Sequence, residues 1–233
     1  MQYKKLSILI PACNEEKTIL EILKKVAAVD IGPLEKEIII IDNNSTDGTA
    51  RLAASQHGVR VLMEKRPGKG AALKRGIGEA AGDLIIFQDA DLEYDPSDFP
   101  AVIAPILHGV TEVANGVRIE NRLRESNRFS VGILGWLGNT AITLTTNWLY
   151  WNFAKEYEGC YKAFDTSILR SVSIKTDNFD FDNELICKLL KRGHHIVDVP
   201  IHYYPRSYKD GKKINWRHGF LILWTIIKYR FVD

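Results

Sequence analysis

The 233-residue chain is short of cysteine, of net charge and of long apolar runs, and each shortage excludes something. Its three cysteines, Cys13, Cys160 and Cys187, are odd in number and widely spaced. That pattern builds neither a disulfide framework nor a Cys-type metal site, and it points to a reducing, cytoplasmic compartment. Thirty-one Lys and Arg against 29 Asp and Glu leave a formal charge of +2, so nothing global favours nucleic acid and any basic site must be local. No stretch offers about 20 uninterrupted apolar residues, which predicts no transmembrane helix. The apolar run after Met1-Gln2-Tyr3-Lys4-Lys5 ends at Pro11, too short for a signal-peptide core with its cleavage site, and reads as a first strand. No Gly-x-Gly-x-x-Gly follows that strand, and Gly-x-x-x-x-Gly-Lys-Ser/Thr occurs nowhere. Dinucleotide and nucleoside triphosphate enzymes of those types are thereby set aside. There is no internal repeat and no low-complexity linker.

What is present is an ordinary globular composition, 45% apolar and 26% charged, in a length that buries a substantial core as one domain over 1–233. Strands at 6–11, 37–41, 59–63 and 84–87 alternate with helices at 15–29, 49–57 and 71–81, the last stopping at Gly82. Such alternation predicts βαβ units and an α/β fold with a mostly parallel central sheet flanked by helices. The second half is less regular. A helix is expected at 98–107, strands at 112–117, 156–164 and 196–203, and helices at 183–191 and 215–231. Between them lie a charged stretch containing Arg118, Glu120, Arg122, Arg124, Glu125 and Arg128, and a largely apolar one at 131–151.

The chain turns on Leu84-Ile85-Ile86-Phe87-Gln88-Asp89-Ala90-Asp91-Leu92-Glu93. Four apolar residues read as a buried strand, and two carboxylates, Asp89 and Asp91, follow at once with Glu93 beyond. In open α/β sheets ligands gather past the carboxyl ends of the strands. Carboxylates there suit a hard divalent cation, and such a cation suits a diphosphate. The plainer reading is an acidic turn that caps a helix begun by Asp95 or Ser97. Asp42, at the tip of the second strand, is placed to accept a ring N–H of a base, or to cap the following turn through an Asx bond. Asp47 reads as stabilising the first turn of the helix after Gly48.

Four segments carry a family resemblance: 8–15 (Ile-Leu-Ile-Pro-Ala-Cys-Asn-Glu), 41–49 (Ile-Asp-Asn-Asn-Ser-Thr-Asp-Gly-Thr), Gly68-Lys69-Gly70-Ala71-Ala72 and Gln88-Asp89-Ala90-Asp91. With 157–164, 181–185 and 204–208 they resemble, in order and spacing, the family 2 glycosyltransferases of the GT-A fold. Within these the chain is most similar to the dolichyl-phosphate mannose synthase and polyprenyl-phosphate glycosyltransferase branch. The resemblance covers nearly the whole length. It implies a nucleotide-diphospho-sugar transferase fold, with 1–117 as the nucleotide-sugar-binding half, 118–214 as the acceptor side and 215–233 as a C-terminal amphipathic helix. It implies an inverting, metal-dependent hexosyltransferase using Mg²⁺ or Mn²⁺ and a nucleotide sugar, GDP-mannose or a UDP-sugar, with a polyprenyl phosphate as acceptor.

Carried over position by position, the resemblance makes Pro11, Ala12 and Glu15 nucleotide-lining residues, Asp42 the base contact, and Lys69 part of the donor site. Asp89 and Asp91 become the metal-binding pair, with Ala90 against the donor and Glu93 where the mannose synthases often have Gln as a further ligand. Arg118 falls near the diphosphate and acceptor phosphate, and Arg206, Lys212 and Lys213 among the basic residues that close over the diphosphate. Two departures stand out: Asn43 replaces the second acid of an Asp-Asp pair, and Ala12 replaces a common aromatic. Both are expected to bear on base preference.

The acceptor is the open question. A lipid phosphate is already anionic and needs no strong base, whereas a glycan or small-molecule hydroxyl needs a carboxylate, with Asp182 and Glu184 the candidates. The plainer role for both is to favour the N-terminus of their helix. Trp136, Trp148 and Trp151 in one apolar segment, and Trp216, Trp224, Tyr229 and Phe231 beside Arg217, Lys228 and Arg230 in the other, suit a membrane–water interface. Peripheral contact with the cytoplasmic membrane face is therefore expected. The alternative is that both helices simply pack on the sheet. A non-catalytic nucleotide-sugar-binding module is the remaining class.

Overall fold

In the computed structural model the described residues are 3–118, 127–205 and 216–232, with the side chains of 127–135 and 216–218 left aside. The strands are β1 (Lys5–Ala12), β2 (Glu35–Asp42), β3 (Val59–Met63), β4 (Leu84–Phe87), β5 (Val113–Arg118), β6 (Lys162–Asp165) and β7 (Ile196–Ile201). They form one sheet in the order β3-β2-β1-β4-β6-β5-β7. The first four run parallel, β6 is antiparallel to both β4 and β5, and β7 is parallel to β5. The mostly parallel α/β sheet read from the alternation is the one observed.

Helices cover both faces because the central strands are apolar on both. Leu6, Ile8 and Ile10 of β1 pack with Ile22 and Val26 of α1 (Ile19–Ala28) and with Val102 and Ile106 of α4 (Phe99–Leu107). On the other face Leu9, Ile39, Ile41 and Phe87 pack with Leu73 of α3 (Lys69–Glu79) and Phe181 of α7 (Phe181–Lys191). Phe87 is the hub there, its ring 5.2 Å from Phe164 and 6.1 Å from Phe181. A third cluster joins α5 (Asn127–Tyr150), α7 and α8 (Trp216–Phe231) through Ile142, Tyr150, Cys187, Ile222, Ile226 and Tyr229. All three cysteines are free thiols.

Several expected boundaries move, for local reasons. The first helix starts at Ile19 rather than at 15, because Glu15 O accepts from the backbone N–H groups of Thr18 and Ile19 in a turn of its own. The helix after β2, α2 (Thr49–Ala54), ends three residues short of His57. The strand expected at 156–164 is cut to Lys162–Asp165. Gly159 lies close against β5, where a Cβ would meet Gly116 O at 2.5 Å, and the ladder with β5 begins only at Lys162. A short helix, α6 (Thr166–Ser171), was not expected; Asp165 caps it by accepting from the N–H groups of Ser167 and Ile168.

The start of α3 fixes the site side of the sheet. It begins at Lys69, two residues before the periodicity suggested, behind Gly68 at φ +120°. A Cβ on Gly68 would meet Asp177 O at 2.1 Å, so only glycine lets this turn pass under the segment that leads into α7. We expect Gly68→Ala to cost about 2 kcal/mol or more in urea unfolding, since it adds a backbone clash to a strained φ. A loss below about 0.5 kcal/mol would contradict that placement.

Candidate active site

The parallel register sets the stage. β1 lies between β2 and β4, Ala12 pairs with Asp42, and Leu9 pairs with Phe87, so the carboxyl ends of all three strands emerge on one edge. The loops there are stitched to one another. Asn14 Oδ1 accepts from the Thr46 N–H at 2.8 Å, and the Asn14 N–H donates to Ser45 Oγ at 3.0 Å. The Glu15 N–H donates to Thr49 Oγ1 at 2.9 Å. Asp47 holds the start of α2 as expected, with Oδ1 accepting from Thr49 N at 3.0 Å.

Asp42 divides its two oxygens between the two roles considered for it. Oδ2 accepts from the Ser45 N–H at 3.2 Å, while Oδ1 is buried and has no hydrogen-bond partner. A buried carboxylate oxygen lacking a donor is expensive, and the fold leaves it at the tip of β2. Asn43, the departure from the Asp-Asp pair, does something else. Its amide donates to Glu64 O and Arg66 O at 3.0 and 2.7 Å, and its Oδ1 accepts from the Gly68 N–H at 2.8 Å. An aspartate there would set a carboxylate against two carbonyls. Asn43 therefore shapes the loop into α3, with both of its amide N–H donors spent there. Pro11 is half-buried and Glu15 buried, the latter's carboxylate accepting from Thr18 Oγ1. Ala12 and Ala90 pack their methyls into the core, so a donor would meet these two positions through backbone alone.

Beyond β4 the acidic triplet is not a helix cap. Asp95 takes that task, accepting from the Ser97 N–H at the start of a 3₁₀ turn. Asp91 Oδ1 accepts from the Glu93 N–H at 3.1 Å across Leu92, whose φ of +64° is strained for a branched apolar side chain. Asp89 Oδ1 is 2.7 Å from Lys69 Nζ, with both side chains about four-fifths shielded. Burial alone would push the Asp89 carboxyl up, yet the Lys69 ammonium holds it below the usual carboxylate range. Burial likewise works against the Lys69 charge, and Asp89 raises its pKa well above normal. Glu93 Oε2 accepts from the Tyr203 hydroxyl at 3.2 Å, and its carbonyl accepts from the Tyr204 N–H. Among the described residues no three His, Cys, Asp or Glu side chains are grouped to hold one ion. Two carboxylates completed by substrate phosphate suit Mg²⁺, which is seldom bound by an all-protein cage. The donor set at Asp89 and Asp91 fits that case.

Behind this pair lies a buried charge cluster that the sequence reading passed over. Lys162 is fully buried; its Nζ donates to Gly159 O and stands 3.9 Å from Asp182 Oδ1, an oxygen that is buried without a hydrogen bond. Glu158 accepts from Asn183 Nδ2 at 2.8 Å. Burial pushes its carboxyl up, with Lys162 opposing and Asp182 adding to the shift. Burial also pushes the Cys160 thiol well up, so beside Asp89 it is a neutral donor. One signal was available: a lone lysine inside Cys-Tyr-Lys-Ala-Phe is out of place in a core strand unless it is paired.

Arg118, at the end of β5, turns its guanidinium to the buried Glu156 and lies 4.9 Å from the centre of the Tyr203 ring. Arg206, Lys212 and Lys213 lie outside the described residues, as do Glu120, Arg122, Arg124 and Glu125. Glu184 is corrected. It is fully buried, and its oxygens accept from the Lys175 and Thr176 N–H groups and from Lys188 Nζ at 2.9, 2.8 and 2.6 Å. It fastens the loop before α7 and cannot reach an acceptor. Tyr229, expected at an interface, is also buried, with Lys188 over its ring.

Burial works to raise the Glu184 pKa, but Lys188 and the two backbone N–H groups bring it below the usual value. Its stabilisation is therefore present above the unfolded carboxyl pKa of about 4.3 and lost as pH falls through the folded value. Glu184→Gln should cost about 3 kcal/mol at pH 7 by leaving Lys188 buried without its charge partner. In urea unfolding at a series of pH values that penalty should shrink below about pH 4. A penalty independent of pH would overturn the assignment.

Comparison with known proteins bears on this edge of the sheet. A family model described as glycosyl transferase family 2 matches residues 7–171. Glycosyltransferase AglJ of Haloferax volcanii is 25% identical over 209 residues, covering 89% of this chain and 65% of AglJ. A low-salt glycan biosynthesis hexosyltransferase of the same organism is 26% identical over 234 residues, covering 97% of this chain and 55% of its own length. The chain thus spans just under two thirds of the first of these relatives and little more than half of the second. Among solved structures, glucosyl-3-phosphoglycerate synthase from Mycobacterium tuberculosis, in complex with Mn²⁺, UDP and phosphoglyceric acid, aligns with a TM-score of 0.74. The alignment covers 99% of this chain and 80% of that one, at 21% identity, a likeness of fold.

Proposed function

The chain belongs to the family 2 glycosyltransferases, and from that premise we propose that it transfers a hexose, of mannose or glucose type, from a nucleoside diphosphate sugar to a polyprenyl phosphate with inversion. The observation that carries the donor assignment is the pairing, on one sheet edge, of an unbonded Asp42 oxygen with the Asp89–Asp91 carboxylates. Asp42 Oδ1 would accept the ring N–H of the base. Asp91, with Asp89, would hold Mg²⁺ or Mn²⁺, which when bound supplies Lewis-acid charge to the diphosphate leaving group. Bond cleavage at the anomeric carbon leaves the electron pair on the diphosphate oxygen, and fixed cations stabilise that charge. Arg118 and, from sequence alone, Arg206, Lys212 and Lys213 are assigned to this task. In this reading 1–117 serves the donor, 118–214 the acceptor, and 215–233 the lipid surface.

The lipid acceptor rests on exposed aromatic side chains of α5, of Trp151 just past its end, and of α8. Trp148 and Trp151 are 77% and 83% exposed, and Trp224, Phe220 and Phe231 join them, with Arg230 alongside. Aromatic side chains with a basic border fit an anionic bilayer surface. Among the described residues no helix is long and apolar enough to cross a membrane. A second reading, transfer to a small-molecule hydroxyl, is favoured by Asp182, whose unbonded oxygen is the type of group that takes an acceptor proton.

Nucleoside diphosphate release should be measured across a screen of GDP- and UDP-hexoses with Mn²⁺. One donor should turn over, and Asp91→Ala should lower its rate by about 100-fold or more, in the range seen when one stabilising group is removed. Full activity in Asp91→Ala would end the metal assignment. With that donor, Asp182→Asn should leave transfer to a short-chain polyprenyl phosphate within about threefold of wild type, whereas loss of about 100-fold or more would favour a hydroxyl acceptor. The protein should also float with vesicles containing anionic lipid, and Trp148→Ser with Trp224→Ser should remain in the soluble fraction. Equal flotation of the double variant would remove the lipid face from the account.

A further inference from the structure

We propose that Lys69 is the resident counter-cation of Asp89, so that a divalent cation binds this site tightly only together with a nucleoside diphosphate. The inference rests on the metal reading above and deepens it. The ammonium sits 2.7 Å from Asp89 Oδ1, one of the oxygens a metal would use. It is not there for the helix. Lys69 opens α3, which has no acid in its first turn, and a cation at a helix N-terminus opposes the macrodipole. Nor is it a surface lysine that happens to lie near an acid. Gly68 at φ +120°, pinned beneath Asp177 O, fixes where the side chain leaves the backbone. The pair is largely shielded from water, beside the buried Cys160, with the charges of Lys162, Asp182 and Glu158 acting on it from the buried cluster.

A shielded carboxylate without its cation is costly, so Asp89 needs a partner at all times. Lys69 meets that need in the absence of substrate, which keeps Asp89 ionised and aimed. A divalent cation arriving alone must then share Asp89 with a fixed positive charge. A nucleoside diphosphate arriving with it brings the negative charge that takes up the ammonium, freeing Asp89 Oδ1. The same lysine so excludes the bare cation and contributes to holding the diphosphate. Cation and nucleotide become positively coupled ligands, each raising the other's affinity by one common factor.

The test uses Mn²⁺ as probe, titrated calorimetrically into wild type, Lys69→Met, Lys69→Arg and Asp91→Ala, with and without the nucleoside diphosphate of the active donor. Wild type should bind Mn²⁺ weakly alone and more than about tenfold tighter with nucleotide, within the usual range of coupling between sites. Lys69→Met should bind Mn²⁺ alone about tenfold tighter than wild type, and its nucleotide enhancement should fall by about the same factor, the remainder coming from the phosphate oxygens' own contact with the ion. Lys69→Arg, which keeps the charge, should behave as wild type. If Lys69→Met perturbs folding by circular dichroism, Lys69→Gln reads the same quantity. Unchanged Mn²⁺ affinity in the neutral variants, with Asp91→Ala abolishing binding, would overturn the role of Lys69 alone. Mn²⁺ binding that survives Asp91→Ala would overturn the metal reading beneath it.

Discussion

Everything at the functional edge depends on three parallel strands ending together. β1 is hydrogen-bonded to β2 on one side and β4 on the other, and every apolar residue of their centres is buried. Strands buried on both faces cannot slip without exposing that surface, so the register is strongly determined. Loops carrying polar backbone must leave the core where the strands stop. Asn14, Asn44 and Leu92, three of the four non-glycine residues with positive φ among the described residues, stand in those loops. Backbone strain gathers where side chains have to be aimed, and the rigid sheet beneath sustains it.

Charge is treated unevenly on this edge. Structural acids are saturated: Glu184 by two N–H groups and Lys188, Glu64 by Arg66, Asp98 by His202. Asp42 and Asp182 each keep one buried carboxylate oxygen, Oδ1, without a hydrogen-bond partner. Each such oxygen costs about 1–3 kcal/mol, and Asp42 Oδ1, at the strand edge, is the one that a base N–H would complete in the proposed function. Asp89 lies between these cases, satisfied by a lysine that a ligand can draw away.

The α5–α8 pair solves a different problem. Its inner side completes a small core through Ile142, Tyr150, Ile226 and Tyr229, with the Tyr150 hydroxyl donating to Ile226 O. Its outer side leaves Leu144, Trp148, Trp224 and Phe231 in water. It is on these exposed apolar side chains that the proposed lipid contact rests. Both interface and core roles were open from sequence, and the two helices divide them by side: Tyr229 inward, Trp224 outward.

The sequence by itself determined the α/β class, the order of the first four strands and helices, and the strand-end positions of Asp42, Asp89 and Asp91. Those follow from local periodicity and from the rule that a buried strand is apolar throughout. It also carried the family, because the motifs are contiguous segments whose order survives in the chain. Only the tertiary structure decided which acids are spoken for. Glu184 and Asp182 lie two residues apart on one helix, yet one faces a buried lysine and two backbone N–H groups while the other faces the cluster behind Asp89. Asn43 became a loop clasp, and Lys162 and Glu158 joined the site from a stretch expected to be plain strand. The pairings of Asn43, Glu158 and Lys162 join residues 20 to 25 positions apart. No local pattern encodes them, since they are fixed by which elements the packed core brings face to face.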